Sequence, residues 1–356
     1  MKTDRALTRK ALLLLTGVAV LGLAGCGASI GYGDYFDSPS TKDVRDGTVG
    51  DIAAVATDTL LALGGPSRTL IDQTLVPVTQ RPREGLAPVM LDLAEQYMSV
   101  RAPVSGSNGA GQQVFTGTLA CSSGTGSLRN EFLSPAVVNV GDTLTITTQN
   151  CVLSGQSYSG IVVLKALSAA SGMPGVSPVW NGRWSAGFTA WTQSDLLTPP
   201  IGSRAQGAAE LQMQRIAIGH AEVSLRTVET AGQLYGLSLA LIENGKSISD
   251  RGLSGVAGWR ELAGNSYTSL DFTVSEAFFA AQGLPFVKVR TSAETVSLAG
   301  ALPSGTWYAL APDNSVAYIT ERNGSTGPLL VDYAQNFGGA LEASFETSWK
   351  ELSNYI

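Results

Sequence analysis

From about residue 112 onward, apolar and polar residues alternate in short runs, and this alternation restricts the fold more than any other feature. In Thr143–Gln149, Leu144 and Ile146 fall on one side and threonines on the other, because successive side chains of a strand point to opposite faces. Other runs are Gln113–Cys121, Ser159–Lys165, Trp184–Trp191, Glu222–Val228, Leu234–Ile242, Tyr267–Val274, Phe286–Thr291, Val316–Thr320 and Glu342–Trp349. Short strands separated by turn residues predict a mainly β fold, arranged as an antiparallel sheet, a sandwich or a half-open barrel.

Two segments before this region have helical periodicity. Asp51–Leu63 places an apolar stripe on one face and is followed by Gly64-Gly65-Pro66, which stops a helix. The second helical segment runs from about Leu86 to Met98. We expect two short helices, each with one apolar side packed on the sheet.

The N-terminus has the composition of an export signal. Lys2, Arg5, Arg9 and Lys10 precede the uncharged run 11–25. A basic head followed by a short apolar run and small residues is typical of a secretory signal. The run is shorter than the roughly 20 residues that span a bilayer as a helix, so a cleaved signal and a short membrane helix are the two general interpretations.

The end of this run is more specific. Leu23-Ala24-Gly25-Cys26 resembles the lipobox of bacterial lipoproteins, whereas the alternative is an ordinary signal peptide that contains a cysteine. The resemblance implies cleavage before Cys26, a diacylglyceryl group on its thiol and acylation of the new amino group. The next residue is Gly27 rather than Asp, which implies sorting to the outer membrane by the rule known for enteric bacteria.

These features predict an order of segments along the chain. Residues 1–25 form the lipoprotein signal peptide, 26–50 the lipidated Cys26 and a flexible tether, 51–110 a helical segment, and 111–356 a β-rich domain. The pattern also allows a division of the last segment into two similar β halves, 111–175 and 176–356. Two or three acyl chains on one residue would hold the protein on the membrane, since one chain alone binds only marginally.

Charge and cysteine content agree with an exported protein. The whole chain has net charge −6 and residues 1–25 contribute +3, which leaves −9 for the rest and argues against a nucleic-acid partner. Cys121 and Cys151 are the two cysteines besides Cys26, and an even pair in an exported chain favours one disulfide. Two free buried thiols are the alternative.

One internal motif resembles a known group of proteins. Cys121, Gly141-Asp142-Thr143 and Asn150-Cys151 are similar to a motif in uncharacterised lipoproteins of Gram-negative bacteria, and the stretch from Asp332 to Leu352 looks like their closing strand pair. That family has no assigned activity to carry over. Its acidic turn before the last strand corresponds here to residues 332–338, but Ala334 and Phe337 occupy places where a calcium loop needs oxygen ligands. We therefore assign no metal.

Catalytic motifs are scarce in the sequence. His220 is the only histidine, no serine lies in a Gly-x-Ser-x-Gly elbow, and there is no phosphate-binding loop, so we assign no catalytic residue and no cofactor. Carboxylates that stand in or beside strands are candidates for glycoside hydrolysis, although a solvent-facing position is the ordinary explanation. Tryptophans are candidates for a carbohydrate or apolar platform, with core packing favoured instead. The carboxylates are Glu222, Glu229, Asp271 and Glu276, and the tryptophans are Trp180, Trp184, Trp191 and Trp307.

Three functions follow from this sequence, in order of preference. The first is a non-enzymatic lipoprotein that faces the periplasm from the outer membrane and has a structural or binding role, with the membrane as a partner through acyl chains on Cys26. The second is a carrier of a lipid or another apolar ligand, held in a half-open sheet covered by the helices. The third is a periplasmic hydrolase. An envelope protein is the macromolecular partner that fits the first of these.

Overall fold

The computed structural model describes residues 49–63, 85–194, 196, 202–227, 236–243, 246–276, 286–298, 304–321 and 328–347. Helix α1 is Val49–Leu63 and helix α2 is Leu86–Tyr97. Seventeen strands are described, numbered in chain order: β1 Gly106–Ser107, β2 Gln113–Thr118, β3 Thr125–Phe132, β4 Thr143–Leu153, β5 Gln156–Ala166, β6 Trp180–Ser194, β7 Gly202–Ala217, β8 His220–Arg226, β9 Leu237–Glu243, β10 Lys246–Leu262, β11 Asn265–Glu276, β12 Val287–Thr291, β13 Thr295–Leu298, β14 Thr306–Leu310, β15 Val316–Glu321, β16 Leu329–Ala334 and β17 Ala343–Thr347.

The described strands belong to one antiparallel sheet in which most strands pair with their neighbours in sequence. Pairing runs without a break from β1 to β7, and again from β14 to β17. The pairing of β5 with β6 carries the sheet across the loop 167–179. The predicted mainly β, antiparallel class with two helices is confirmed.

Two places in the sheet are shared by a pair of short strands. β8 and β9 both lie between the long strands β7 and β10, with β8 on one half of their length and β9 on the other. In the same way, β13 and β12 pair with successive halves of β11. The long strands therefore hold the two short ones in line.

A single large apolar core joins the helices to one face of the sheet. Apolar residues of β6 alternate into it as Trp180, Trp184, Ala186 and Phe188, while Arg183, Ser185 and Gly187 lie on the outer face. Polar contacts fix the helices on this face. Glu95 of α2 accepts hydrogen bonds from Arg215 and from the Trp180 indole, the latter at 3.0 Å.

Helix α1 is more deeply placed than its apolar stripe indicated. Every residue from Ile52 to Leu61 is buried, including the polar residues Thr57, Asp58 and Thr59. The Trp307 indole donates to Thr57 Oγ1 at 3.0 Å, and Arg251 lies 3.5 Å from Asp58. The apolar stripe packs in the core as predicted, and it marks only part of the buried surface of α1, because the core surrounds this helix.

A line of irregular backbone crosses the middle of the sheet. Register shifts occur in β4 at Asn150 and in β6 at Ala190, both with positive φ. Between them, Gly160 of β5 has a φ of 102°, and a Cβ there would lie 2.3 Å from the Ala190 carbonyl oxygen. Gly207 in β7 continues the line. Bulges and glycine kinks of this kind bend a sheet, and the bulge in β6 lets both Phe188 and Trp191 face the core.

Candidate functional site

The prediction for Cys26 and the prediction for the pair Cys121 and Cys151 have different outcomes. Cys26, the predicted signal peptide and the predicted tether up to residue 48 lie outside the described residues, so lipidation at Cys26 stays a prediction, while residues 49–50 of that tether belong to α1. The predicted disulfide is confirmed, since Cys121 and Cys151 are bonded with Cα atoms 5.2 Å apart. The bond ties the connection after β2 to the bulged part of β4, where Cys151 is fully buried.

The tryptophans do not form a surface platform. Trp180, Trp184, Trp191 and Trp307 are all at most 1 % exposed, and they belong to the core. Trp180 packs edge-on against Trp184 with ring centroids 5.7 Å apart. Core packing is therefore the role of these four residues, as the sequence favoured.

The first three residues of the predicted acidic turn near the C-terminus, 332–334, belong to a strand instead. Asp332 and Ala334 belong to β16, which pairs with β15 and β17, and the turn follows at residues 335–342. Over the part of the chain that the structure describes, no three His, Cys, Asp or Glu side chains form a group that could hold a metal. β16 and β17 pair in antiparallel register, while residues 348–352 of the stretch that the resemblance covers lie outside the described residues.

The sequence candidates for catalysis are only partly brought together. His220 Nε2 lies 3.2 Å from Glu222 Oε1 on β8. Asp271, on β11, is engaged by Arg290 at 2.7 Å. Glu229 lies outside the described residues, and Glu276 is the last residue of β11.

Glu222 lines a groove of about 320 Å³ on the outer face of the sheet, where β7, β8 and β10 lie side by side. The floor is the strand pair Ser224 and Gly258, which carry little or no side chain. Longer side chains on the neighbouring positions form the walls. The long polar side chains of the lining are Gln212, Gln214, Glu222, Arg260 and Glu294.

Arg260 and Glu294, two charged side chains of this groove, hold each other in place. Arg260 donates to Glu294 Oε2 from Nη2 at 2.6 Å and from Nε at 3.0 Å. Its guanidinium also lies over Tyr267, 4.2 Å from the ring centroid. The hydrogen bonds to Glu294 are the main reason that the pKa of Arg260 is raised, so this side chain is a fixed cation.

Glu222 on the same wall is oriented by two neighbours. Gln214 Nε2 donates to Glu222 Oε2 at 2.5 Å, and His220 contacts the other oxygen. The side chains of Gln214 and Glu222 face each other because their backbones are paired across β7 and β8. This wall therefore presents a fixed arrangement of hydrogen-bond donors and acceptors.

A second hollow of about 280 Å³ continues the groove and shares Gln212 and Ser224 with it. Its charged residues are Arg183, Glu210 and Arg226, and Arg183 Nη2 lies 2.8 Å from Glu210 Oε1. Together the two hollows, which we call the outer groove, carry three arginines and three glutamates. The formal charge of the outer groove is thus balanced.

A separate pocket of about 200 Å³ lies between α2 and the turn joining β4 to β5. Its helix side is formed by Val89, Asp92, Leu93 and Gln96, which share one face of α2. Gln156 lines the other side and is 1 % exposed. Its Oε1 accepts from the Tyr158 hydroxyl at 2.6 Å, whereas its Nε2 has no hydrogen-bond partner within the described structure.

Comparisons with known proteins identify no relative of this chain. No protein-family model, no curated protein and no solved structure matches it. Neither described helix is long and apolar enough to cross a membrane.

Proposed function

We propose that this chain is a lipid-anchored protein of the bacterial envelope whose β domain has a binding role. Acyl chains on Cys26 hold it on the outer membrane, with the domain facing the periplasm. The support for the anchor is the basic head, the short apolar run and the lipobox-like residues 23–26.

The ligand that best fits the outer groove is a neutral, hydroxyl-rich molecule, which is the chemistry of an uncharged glycan. The observation that carries this proposal is a floor of one serine and one glycine between walls of amides and paired charges. A hydroxyl both donates and accepts, so it can bind Gln, Glu and Arg side chains in turn. A charged ligand gains little here, because Arg183 and Arg260 already pair with Glu210 and Glu294, and the formal charge of the outer groove is balanced.

The proposal favours binding over hydrolysis. Both carboxylates of the first hollow, Glu222 and Glu294, are occupied by donors from the protein. Glycosidases need one carboxyl group that donates a proton and one that acts as a base or nucleophile. We therefore assign Glu222 and Glu294 to ligand recognition.

A glycine on the groove floor allows a sharp test. Gly258→Val fills the floor, and the nearest atom to the new Cβ is the Ser269 hydroxyl, the mobile end of a small side chain. Gly187→Val is the matched control, since Gly187 lies on the outer face of β6 with nothing within 4 Å of an added Cβ. Binding of maltotriose, cellotriose and chitotriose is measured by calorimetry.

We expect at least one trisaccharide to bind, Gly258→Val to lose about tenfold in affinity or more, which is about 1.4 kcal/mol, and Gly187→Val to bind as the parent does. Thermal unfolding of both variants reports whether they are folded. Absence of binding by all three sugars, or equal binding by Gly258→Val, contradicts the glycan proposal.

A carrier role for a small apolar ligand is the second candidate, and the pocket beside α2 favours it. Its volume is about 200 Å³, while a cavity of roughly 150 Å³ takes up benzene. The Gln156 amide offers a donor to a carbonyl group. Acetophenone should therefore bind more tightly than ethylbenzene, and Gln156→Leu should remove that difference; equal binding of both compounds by the parent protein contradicts the carrier role.

A further inference from the structure

Five described connections at one end of the sheet form a surface that is almost free of charge. Strand register places the loops 108–112, 133–142 and 167–179 and the turns 216–219 and 262–265 at the same end. We call this surface the uncharged end. Of all these residues only Asp142 is ionisable, and it is fully buried.

Hydrogen bonds join these connections into two groups, which the pairing of Trp180 with Arg215 across β6 and β7 places side by side. The Gln112 side chain donates to the Gly141 carbonyl at 3.1 Å, and the Ala170 amide donates to the Val138 carbonyl at the same distance. On the other side, the Ala263 amide donates to the Gly219 carbonyl at 3.0 Å. The loops therefore present their outward side chains together.

Those outward side chains are mostly large and apolar. Ile218 is 93 % exposed, Val176 69 % and Val140 61 %. Leu133, Val137, Val179, Ile216 and Leu262 are exposed on the same end. Single exposed apolar residues are common, whereas a group of this size at one end marks an interaction surface.

The loop 133–142 shows the usual arrangement reversed, with its charge inside and two of its three valines outside. Arg101 donates to the carbonyls of Ser134 and Val137 at 2.6 and 2.7 Å, and its Nη1 lies 3.3 Å from Asp142. Asp142 accepts from the Leu133 and Asn139 amides, both at 3.0 Å. This buried pair holds the loop so that Val137 and Val140 remain exposed.

We propose that the uncharged end docks on the surface of the membrane to which the chain is anchored. The inference rests on the proposed anchor at Cys26. Only 22 residues lie between Cys26 and the start of α1 at Val49, so even a fully extended segment reaches roughly 80 Å. A surface kept this close to the bilayer needs little affinity of its own, because the anchor supplies a high effective concentration.

The residue types favour lipid as the occupant. A side chain that enters the bilayer boundary contributes through its apolar area, whereas a charged one resists it. Charged residues near the uncharged end, such as Arg183 and Glu222, lie within the strands β6 and β8 and not in the connections. The uncharged end contains no basic side chain at its surface, so the docking does not depend on anionic lipid.

The test uses the full-length acylated protein in protein-free vesicles of phosphatidylcholine and phosphatidylethanolamine. Ile218→Cys and, separately, Val176→Cys are labelled with an environment-sensitive fluorophore. Leu341→Cys is the matched control, because Leu341 is an equally apolar, exposed residue at the opposite end of the sheet. Cys121 and Cys151 are bonded to each other, and acylation occupies Cys26.

We expect the labels at 218 and 176 to shift to bluer emission on the vesicles and to become severalfold less accessible to aqueous iodide, while the label at 341 does neither. Flotation of the vesicles reports the anchor separately. Protein that floats with all three labels equally accessible overturns the docking and leaves the anchor intact. Protein that does not float overturns both. Protection at 218 only in native envelope membranes overturns lipid as the occupant in favour of a protein partner.

Discussion

At the scale of single residues, the ion pair of Arg101 and Asp142 fixes one loop of the molecule from inside. Both side chains are almost completely buried, and the pair holds the loop 133–142 by several backbone hydrogen bonds. Burial lowers the pKa of Arg101, while Asp142 opposes that effect. The guanidinium also lies over the Phe132 ring at 4.9 Å. Such a pair is costly to assemble and more costly to break from one side.

We therefore predict that Asp142→Asn lowers the free energy of unfolding by about 3–5 kcal/mol, because it leaves the Arg101 charge buried without a counter-charge. Urea unfolding followed by tryptophan fluorescence measures the loss. Glu131→Gln is the control, since Glu131 pairs with Arg129 on the exposed surface and such pairs contribute less than about 1 kcal/mol. Equal losses in the two variants would contradict the prediction.

The disulfide between Cys121 and Cys151 is a second contribution of single residues to the free energy of unfolding. It closes a loop of 30 residues, which corresponds to roughly 3–4 kcal/mol through the entropy of the unfolded chain. We expect the double variant Cys121→Ala, Cys151→Ala to unfold at a lower urea concentration by an amount that matches this loss. Treatment of the parent protein with a reductant should give the same midpoint, and an unchanged midpoint in both cases would show that the bond adds no stability.

At the scale of elements, the irregular line across β4 to β7 decides how the sheet bends. Gly160→Ala should cost about 1–3 kcal/mol from its positive φ alone, and more from the contact with the Ala190 carbonyl. Gly187→Ala on the neighbouring strand has space and should be neutral or slightly stabilising. We expect a lower midpoint of denaturation for Gly160→Ala and an unchanged or slightly higher midpoint for Gly187→Ala. An unchanged midpoint for Gly160→Ala would show that the sheet does not need the kink at this position.

A substitution in helix α1 distinguishes the burial of this helix in the structure from the one-sided burial that its apolar stripe indicates. The apolar stripe puts Ala54 on the polar side, whereas the structure buries it at 1 % exposure. Ala54→Lys should therefore lose at least about 3 kcal/mol, as expected for an uncompensated buried charge. Gln96→Lys on the exposed side of α2 is the control and should change stability by no more than about 0.5 kcal/mol.

How far the sequence predicts these elements depends on how cleanly their residues alternate. β4 and β5 follow the period of two and were predicted, as were both helices to within two residues. β7 was missed because its core-facing positions are often small, such as Ala205 and Ala209, and give no apolar contrast. β3 was missed because Asn130, a polar residue, occupies a core position, where its side-chain amide donates to the carbonyls of Tyr97 and Val100 at the end of α2.

The outer groove was less predictable than the strands, for a physical reason. Glu222 was singled out as an acidic residue near a strand, but nothing local connects it to Glu294 or to Gly258. These residues meet only through the register of β8, β10 and β11, which long-range pairing determines. The uncharged end could have been noticed as loops without charges, although only the topology places those loops together.

At the scale of the whole molecule, the uncharged end and the outer groove lie in a fixed order along the strands. From Ile218 at the tip of the β7–β8 turn to Gln214 on the groove wall there are four residues, or about 14 Å of strand. The headgroup layer of a bilayer is about 5–8 Å thick on each side. Docking by the uncharged end therefore leaves the groove just outside the headgroups, open to the periplasm and close to any glycan at the membrane surface.

This arrangement predicts a difference in height that can be measured on the anchored protein. A donor fluorophore at Ile218→Cys and, in a second preparation, at Gln214→Cys is paired with acceptors attached to lipid headgroups. We expect the label at 214 to stand farther from the bilayer by about 10 Å or more, since the strand direction is then close to the membrane normal. Equal heights would mean that the sheet lies flat on the lipid, which would cover the groove and separate glycan binding from membrane docking. Leu341→Cys, at the far end of the sheet, should be the most distant of the three, which fixes the direction of the axis independently of the groove.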